Sequence, residues 1–329
     1  MPKASIVITT RNRPQLLPRA IDSALASGSD VEVVVVDDAS SDETAEICQS
    51  FGGLNYVRVE RNQGVAGARN LGLIASSGEY IGFLDDDDVR LAGSLDRQIA
   101  VLEQNSQAAL IYGQAIAEDP SGKQHEPYPS DCPQGDIFWE LLTGNFIPCG
   151  SAVFRRACLS RVGLLDDAIP GIDDWDLWVR IAEIYPIMAI ETPVMRWRQS
   201  TPRSGQGSSP TVDLIGLSRK WFREHWLELP RLQSASRAKQ RAAWRSFSRN
   251  VSEHLVWEAC NALGKGKLGH ARKSALNLLR LHPAGLLGVL QRWTSTATLV
   301  TLLASAVRRD DPANAKAHFK RIRSSRTGR

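Results

Sequence analysis

Cysteine is scarce and scattered in this chain. The five thiols, Cys48, Cys132, Cys149, Cys158 and Cys260, are odd in number and form no C-x-x-C pair, so neither a disulfide framework nor a zinc site is suggested and the side chains read as reduced and mostly buried. Long apolar runs are missing as well. No window approaches the ~18 uninterrupted apolar residues of a membrane-spanning helix, and the chain opens on a strand-like run at residues 5–10 with neither a basic start nor a signal-type apolar core. The expected location is therefore the cytoplasm. The six histidines show no ligand spacing and suggest no site. What is present, 43% hydrophobic and 23% charged residues over 329 positions, suits one large domain or two moderate ones and excludes a peptide hormone, a fibrous repeat or a disordered tail.

The small net charge of +4 conceals a division. Up to Met195 there are 14 basic and 29 acidic residues, a balance of −15, whereas from Arg196 onward there are 26 and 7, a balance of +19. Two parts with different partners are implied. The acidic part is suited to holding a metal ion, the basic part to facing phosphates, nucleic acid or an anionic membrane.

The first ~115 residues alternate β-branched runs with helical stretches, the signature of βαβ units and a largely parallel sheet. Residues 5–10, 31–36, 55–60, 80–84 and 109–112 read as strands, and Val31 to Val36 is apolar enough to be covered on both faces. Residues 15–27, 67–75 and 95–102 read as helices, and Ser40 with Glu43 fits a capping box for a further one. Residues 118–135, rich in Pro, Ser, Gly and Asp, read as a surface excursion. Helical character returns at 137–142 and 175–184. The decapeptide TPRSGQGSSP at 201–210 is loop-like, and beyond it 237–262, 270–281 and 286–304 are amphipathic helices, with Asp311 and Pro312 resembling an N-cap and first helical position. A boundary near residue 211 separates an α/β domain, 1–210, from a basic, all-α region, 211–329.

Carboxylates collect at the ends of two predicted strands, where open α/β sheets bind ligands. Asp37 and Asp38 end VVVVDD, and Asp85 to Asp88 end YIGFLDDDD. Four successive carboxylates repel one another unless they are solvated or neutralised, and a hard divalent cation held by one or two of them with substrate phosphates is the economical explanation. A solvated acidic loop is the alternative for this run taken alone.

Five ordered segments decide between the two. SIVITTRNRPQLLPRAIDSAL, VVVVDDASSDET, GVAGARNLGL, GEYIGFLDDDD and DDWDLWVRIAE, in this order and spacing, resemble the family 2 glycosyltransferases of the GT-A fold, over residues 4 to about 204. The resemblance implies an inverting enzyme that moves a sugar from a nucleotide-sugar, a UDP-sugar above all, to a hydroxyl of a glycan or lipid-linked acceptor with Mn²⁺ or Mg²⁺. It assigns Thr9 and Arg11 to the nucleotide pocket, and Asp37 and Asp38 to the segment whose second acid accepts from the uracil imide N–H. Arg69 corresponds to a basic residue that contacts the base or the diphosphate. Asp85, Asp86 and Asp87 overlay the DxD-type motif, Asp86 facing the ribose and Asp87 the metal, with Asp88 an exposed outer-shell residue that caps the segment after it. Asp174 matches the catalytic base, beside Asp173 where relatives carry Glu. Asp176 reads as a helix N-terminal acid, Trp178 as core packing, and Trp175 as either packing or a sugar-stacking surface.

One segment departs from the pattern. Where many relatives carry Y-R-x-H, with the histidine reaching metal or diphosphate, this chain has Met195-Arg196-Trp197-Arg198. Arg198 cannot ligate a metal but can grip phosphates bidentately. Residues 200–209 behind it suggest a lid.

Four further readings concern rival functions and partners. A nucleotidylyltransferase shares the architecture but would carry an N-terminal Gly-rich phosphate loop, which TTRNRPQ is not. A basic helical membrane- or nucleic-acid-binding protein with a degenerate sugar-nucleotide domain is opposed by the intact Asp87 and Asp174. Residues 259–283 resemble a single tetratricopeptide-like hairpin, one unit where stable arrays need three or more. The basic tail and the 286–304 helix suit peripheral contact with an anionic inner membrane face, and no nucleic-acid partner is expected.

Overall fold

A computed structural model describes residues 1–119, 121–169, 171–198, 221–264 and 266–281. The chain divides into two compact units, Met1–Ser204 and Gly205–Arg329; the sequence boundary near 211 and the 200–209 lid lie outside the described residues, as do 286–304, Asp311, Pro312 and the tail.

Nine strands of the first unit form one mixed sheet: β1 (Ala4–Thr10), β2 (Val31–Asp38), β3 (Asn55–Val59), β4 (Tyr80–Asp85), β5 (Val89–Arg90), β6 (Leu110–Glu118), β7 (Gln124–Tyr128), β8 (Val153–Arg155) and β9 (Ile187–Arg198). Their order is β3-β2-β1-β4-β8-β6-β9-β5, with β7 added beside β6. The first four are parallel. Beyond β4 the direction changes, since β8 runs antiparallel to both β4 and β6. The helices are α1 (Leu17–Leu25), α2 (Thr44–Ser50), α3 (Gly64–Ala75), α4 (Ser94–Gln104), α5 (Phe138–Leu141), α6 (Leu159–Val162) and α7 (Asp173–Ile184).

The run Val33 to Val36 is buried throughout, at 1% exposure or less. Each such side chain contributes roughly 1.5–3 kcal/mol over leaving it in water, which ties β2 between its neighbours and fixes where Asp37 and Asp38 emerge. Register does the rest. Thr10 lies opposite Asp37, and Thr9 opposite both Val36 and Asp85, so the ends of β1, β2 and β4 form one edge. Because the chain passes from β1 outward through β2 and β3 and then back to β4, this edge includes the point where the strand order reverses, the usual ligand crevice of such sheets.

Two local expectations are corrected. Ser40 and Glu43 form no capping box: the Ser40 hydroxyl accepts from the Asn12 N–H at 2.9 Å, and α2 instead begins with the Thr44 N–H on the Asp42 carboxylate at 3.2 Å. The surface excursion at 118–135 also contains a strand, β7, paired to the edge of β6.

In the second unit the helices Arg237–Gly264 and Leu268–Leu281 lie where the amphipathic pattern predicts them. Phe222, Trp226 and Phe247 are buried together, with Phe222 and Phe247 ring centres 4.8 Å apart. The expected hairpin at 259–283 extends past the described residues.

Candidate active site

The acidic loop after β4 is not a solvated run. Asp86, Asp87 and Asp88 are buried at 2%, 6% and 5% exposure, and only Asp85 is partly open. Asp86 accepts from the Thr10 hydroxyl at 2.7 Å and from one prong of Arg13; the other prong of Arg13 reaches Asp87. Burial pushes the Asp86 carboxyl up to about 7, against the pull of Arg13 and Thr10. Asp88 is also raised, by burial first and then by Asp85 and Asp87, against the pull of Arg198. The sequence expectation of an exposed Asp88 is therefore wrong: the loop turns back on itself, with the Asp88 N–H on the Asp85 carbonyl at 3.0 Å, and tucks the fourth carboxylate inward.

Asp85, Asp87 and Asp88 each bring a carboxylate oxygen within 4.8 Å of the other two. Three oxygen donors at this spacing, one of them on the buried Asp88, fit a hard divalent ion such as Mg²⁺ or Mn²⁺. Arg198, at the end of β9, closes the loop from the other side: its backbone N–H meets the Asp88 carboxylate at 3.0 Å and its Nε–H the Asp87 carbonyl at 2.6 Å.

Arg69, on α3, is the centre of a second network. It is 6% exposed, and it donates to Asp85 and to Asp173, each at 2.8 Å. Burial alone would lower its pKa; Cys149 and the carboxylates of Asp173, Asp85 and Asp174 outweigh that and raise it, so the guanidinium remains charged. The neighbouring Asn70 fixes the chain leading into α7 by two bonds to the Leu165 backbone, at 2.9 and 3.0 Å. Thus the A-R-N tripeptide clamps the start of α7 to the end of β4.

Asp173 is fully buried and its two oxygens go to Arg69 and to the Gly171 N–H. Asp174 keeps some surface in solvent, although protein atoms hem in its carboxyl, and among the described residues it accepts from the Trp175 N–H at 2.7 Å. Burial, and next to it Asp173, push the Asp174 carboxyl up to about 7. Asp176 serves structure, paired with Arg180 at 2.8 Å on the following turn. Trp178 packs against Phe83 and Phe154, as its position suggested. Trp175, left open by the sequence, is 7% exposed with its indole N–H on the Leu141 carbonyl at 2.6 Å, which favours packing over stacking.

The VVVVDD acids divide their work. Asp37, wholly buried, holds the Ser40 N–H at 2.8 Å and the Tyr56 hydroxyl at 2.7 Å. Asp38 receives the Gln63 and Gly64 N–H groups at the N-terminus of α3, at 2.6 and 3.1 Å, where the helix dipole favours an anion. A carboxylate has about four acceptor sites, so Asp38 retains capacity for a ligand N–H. Thr9 is partly exposed at the same edge, and Arg11 is exposed with no ion pair among the described residues.

Sequence reasoning missed Arg13 and Thr10. Both stand in TTRNRP, and the second Arg was readable only through its shape. Asn12 takes the left-handed conformation, φ 53°, that Asn tolerates better than most residues, and this turns Arg13 back over the acidic loop.

Comparison with known proteins meets this geometry directly. Residues 5–163 match the family described as Glycosyl transferase family 2. The match covers most of the first unit. A protein of Rickettsia felis described as an uncharacterized glycosyltransferase is 30% identical over 207 residues, 60% of this chain and 34% of its own length. The GalNAc(5)-diNAcBac-PP-undecaprenol beta-1,3-glucosyltransferase of Campylobacter jejuni is 32% identical over 174 residues, 49% of this chain and 54% of its own. The chain thus spans about a third to a half of these relatives. Among solved structures, S. aureus TarS superimposes with a TM-score of 0.60 at 18% identity, covering 94% of this chain and 53% of TarS. Its 1–349 fragment in complex with UDP-GlcNAc gives 0.54 at 17% identity, covering 87% and 92%. The fold is GT-A, a mixed, mostly parallel sheet flanked by helices.

Proposed function

We propose that the protein is an inverting glycosyltransferase that moves a sugar from a UDP-sugar to a hydroxyl of a glycan or lipid-linked acceptor, with Mn²⁺ or Mg²⁺ at Asp85, Asp87 and Asp88. The observation that carries this reading is the Arg69 bridge, which couples the acidic loop to the segment bearing Asp174. When bound, the metal would supply Lewis-acid stabilisation of the departing diphosphate. Asp174 takes the proton from the acceptor hydroxyl as that oxygen attacks the anomeric carbon. Asp38, Thr9 and Arg11 hold the nucleoside, Asp38 by accepting from the uracil N–H; Asp86 faces the ribose; and Arg198 grips phosphate beside the loop. Asp37 supports them by fixing the turn after β2. The TarS fragment in complex with UDP-GlcNAc supports the choice of UDP, and the undecaprenol-linked acceptor named for the Campylobacter enzyme supports a lipid-linked glycan.

Donor hydrolysis with a panel of UDP-, GDP- and dTDP-sugars, with Mn²⁺, with Mg²⁺ and with chelator, tests the reading. The expected result is turnover of a UDP-sugar alone, lost on chelation. Metal-independent turnover, or preference for a guanine nucleotide, would overturn the donor and metal assignments.

Peripheral contact with an anionic membrane face belongs to the same proposal. Among the described residues no helix is long and apolar enough to cross a membrane. On the helix Arg237–Gly264, however, Arg237, Arg241, Arg245 and Arg249 recur every fourth position and are exposed, and residues so spaced lie near one face. Charge reversal at Arg241 and Arg245 should cut sedimentation with anionic vesicles about tenfold at low salt, where attraction is least screened, and leave UDP binding unchanged. Wild-type protein that ignores such vesicles would refute membrane contact.

A further inference from the structure

Arg13 is placed where a metal-binding loop ordinarily has no need of a cation. Its backbone is anchored: the Asn12 turn precedes it, Pro14 follows, and its carbonyl accepts from the Leu16 and Leu17 N–H groups at the entry to α1. Its side chain, 14% exposed, reaches over the acidic loop and divides its prongs between Asp86 and Asp87. Asp87 is thereby shared. It pairs with Arg13 and also belongs to the carboxylate trio with Asp85 and Asp88.

A guanidinium and a divalent ion on one carboxylate repel each other strongly at this range, most of all in a buried setting. Beside Arg13 lies a cavity of about 380 Å³ whose wall includes Asp42 and Glu43. A guanidinium released from Asp87 has room there, and acidic partners.

We propose that Arg13 is the resident counter-cation of the acidic loop, and that a divalent ion binding at Asp85, Asp87 and Asp88 displaces it from Asp87. The inference rests on the metal reading above and adds a competitor to it. Arg13 keeps the buried carboxylates of Asp86 and Asp87 from repelling one another while no metal is bound, and the same bond makes the metal-free site weaker for the ion than the carboxylates alone would be.

Mn²⁺ titration followed by electron paramagnetic resonance, on the full chain without nucleotide, tests this in wild type, Arg13→Gln and Arg13→Lys. Arg13→Gln removes the charge and should bind Mn²⁺ about tenfold tighter, with a lower thermal midpoint in metal-free buffer and a larger rise on adding Mn²⁺. Arg13→Lys keeps the charge but cannot hold two carboxylates at once, and should tighten binding by about threefold. A residue that merely supports the fold would not tighten metal binding when removed. Unchanged or weaker Mn²⁺ binding in Arg13→Gln overturns the competition and leaves the metal reading standing, whereas absence of binding in all three proteins overturns the metal reading itself. If Arg13→Gln does not fold, the lysine variant decides: wild-type affinity there overturns the proposal.

Discussion

Replacing Asp174 by asparagine should lower sugar transfer by roughly 10²-fold or more while UDP affinity stays near wild type. Asparagine keeps the size of the side chain and its oxygen can still accept the Trp175 N–H, the bond that orients Asp174 in the native protein at 2.7 Å. It cannot take a proton. The pH profile supplies a second readout. Burial and the adjacent Asp173 hold the Asp174 carboxyl near pH 7, at about 7, and only the ionised form acts as a base. Transfer should therefore rise with pH through about 7 and level off above it, and that limb should vanish from the residual activity of the variant. Wild-type transfer in Asp174→Asn would move the base elsewhere. Asp173 is the neighbouring carboxylate, but both its oxygens are held, by Arg69 and by Gly171.

The sheet was legible because its signal is strong: Val31 to Val36 can only be a strand covered on both faces, and the acids after it and after Leu84 mark strand ends. The helix α7 was legible for a similar reason, since Asp173, Asp174 and Asp176 suit its first turn and the apolar residues behind them repeat at helical spacing. What could not be read were the contacts between segments distant in sequence. Asp88 looked exposed because a run of four acids is usually solvated; nothing local announced that Arg198, 110 residues away, would bring an N–H to it. Ser40 likewise looked like a cap until Asn12, 28 residues earlier, claimed its hydroxyl. Short antiparallel strands such as β8, three residues long, were invisible to any periodicity argument, although β8 joins the parallel half of the sheet to the rest.

Arg69 illustrates both sides. Its place in A-R-N marked it as a basic residue of the donor site, yet the structure also gives it a task that no motif states, the alignment of Asp173 with Asp85 across 88 residues of sequence. The segment bearing Asp174 is thus held in register with the acidic loop by a buried, permanently charged fork, a geometry lysine could not reproduce.

The acidic loop carries the other large effect. Asp87→Ala should abolish the metal dependence of donor binding, so that UDP binds equally with and without Mn²⁺ in calorimetric titration. The reason is geometric: Asp87 contributes to the one trio of carboxylates among the described residues whose oxygens converge within 4.8 Å. Burial of Asp88 changes what is expected of its neighbour. An exposed fourth acid would be mild to replace, but a carboxylate 5% exposed, raised by burial, Asp85 and Asp87 against the pull of Arg198, is favoured in its charged form by a further cation beside it. Asp88→Asn, which can still accept the Arg198 N–H, should therefore lose metal dependence nearly as fully as Asp87→Ala. Unchanged metal dependence in Asp87→Ala would discard the metal assignment altogether. Loss in Asp87→Ala with wild-type behaviour in Asp88→Asn would confine the ion to Asp85 and Asp87 and leave Asp88 as the acceptor that holds Arg198, and with it the end of β9, against the loop.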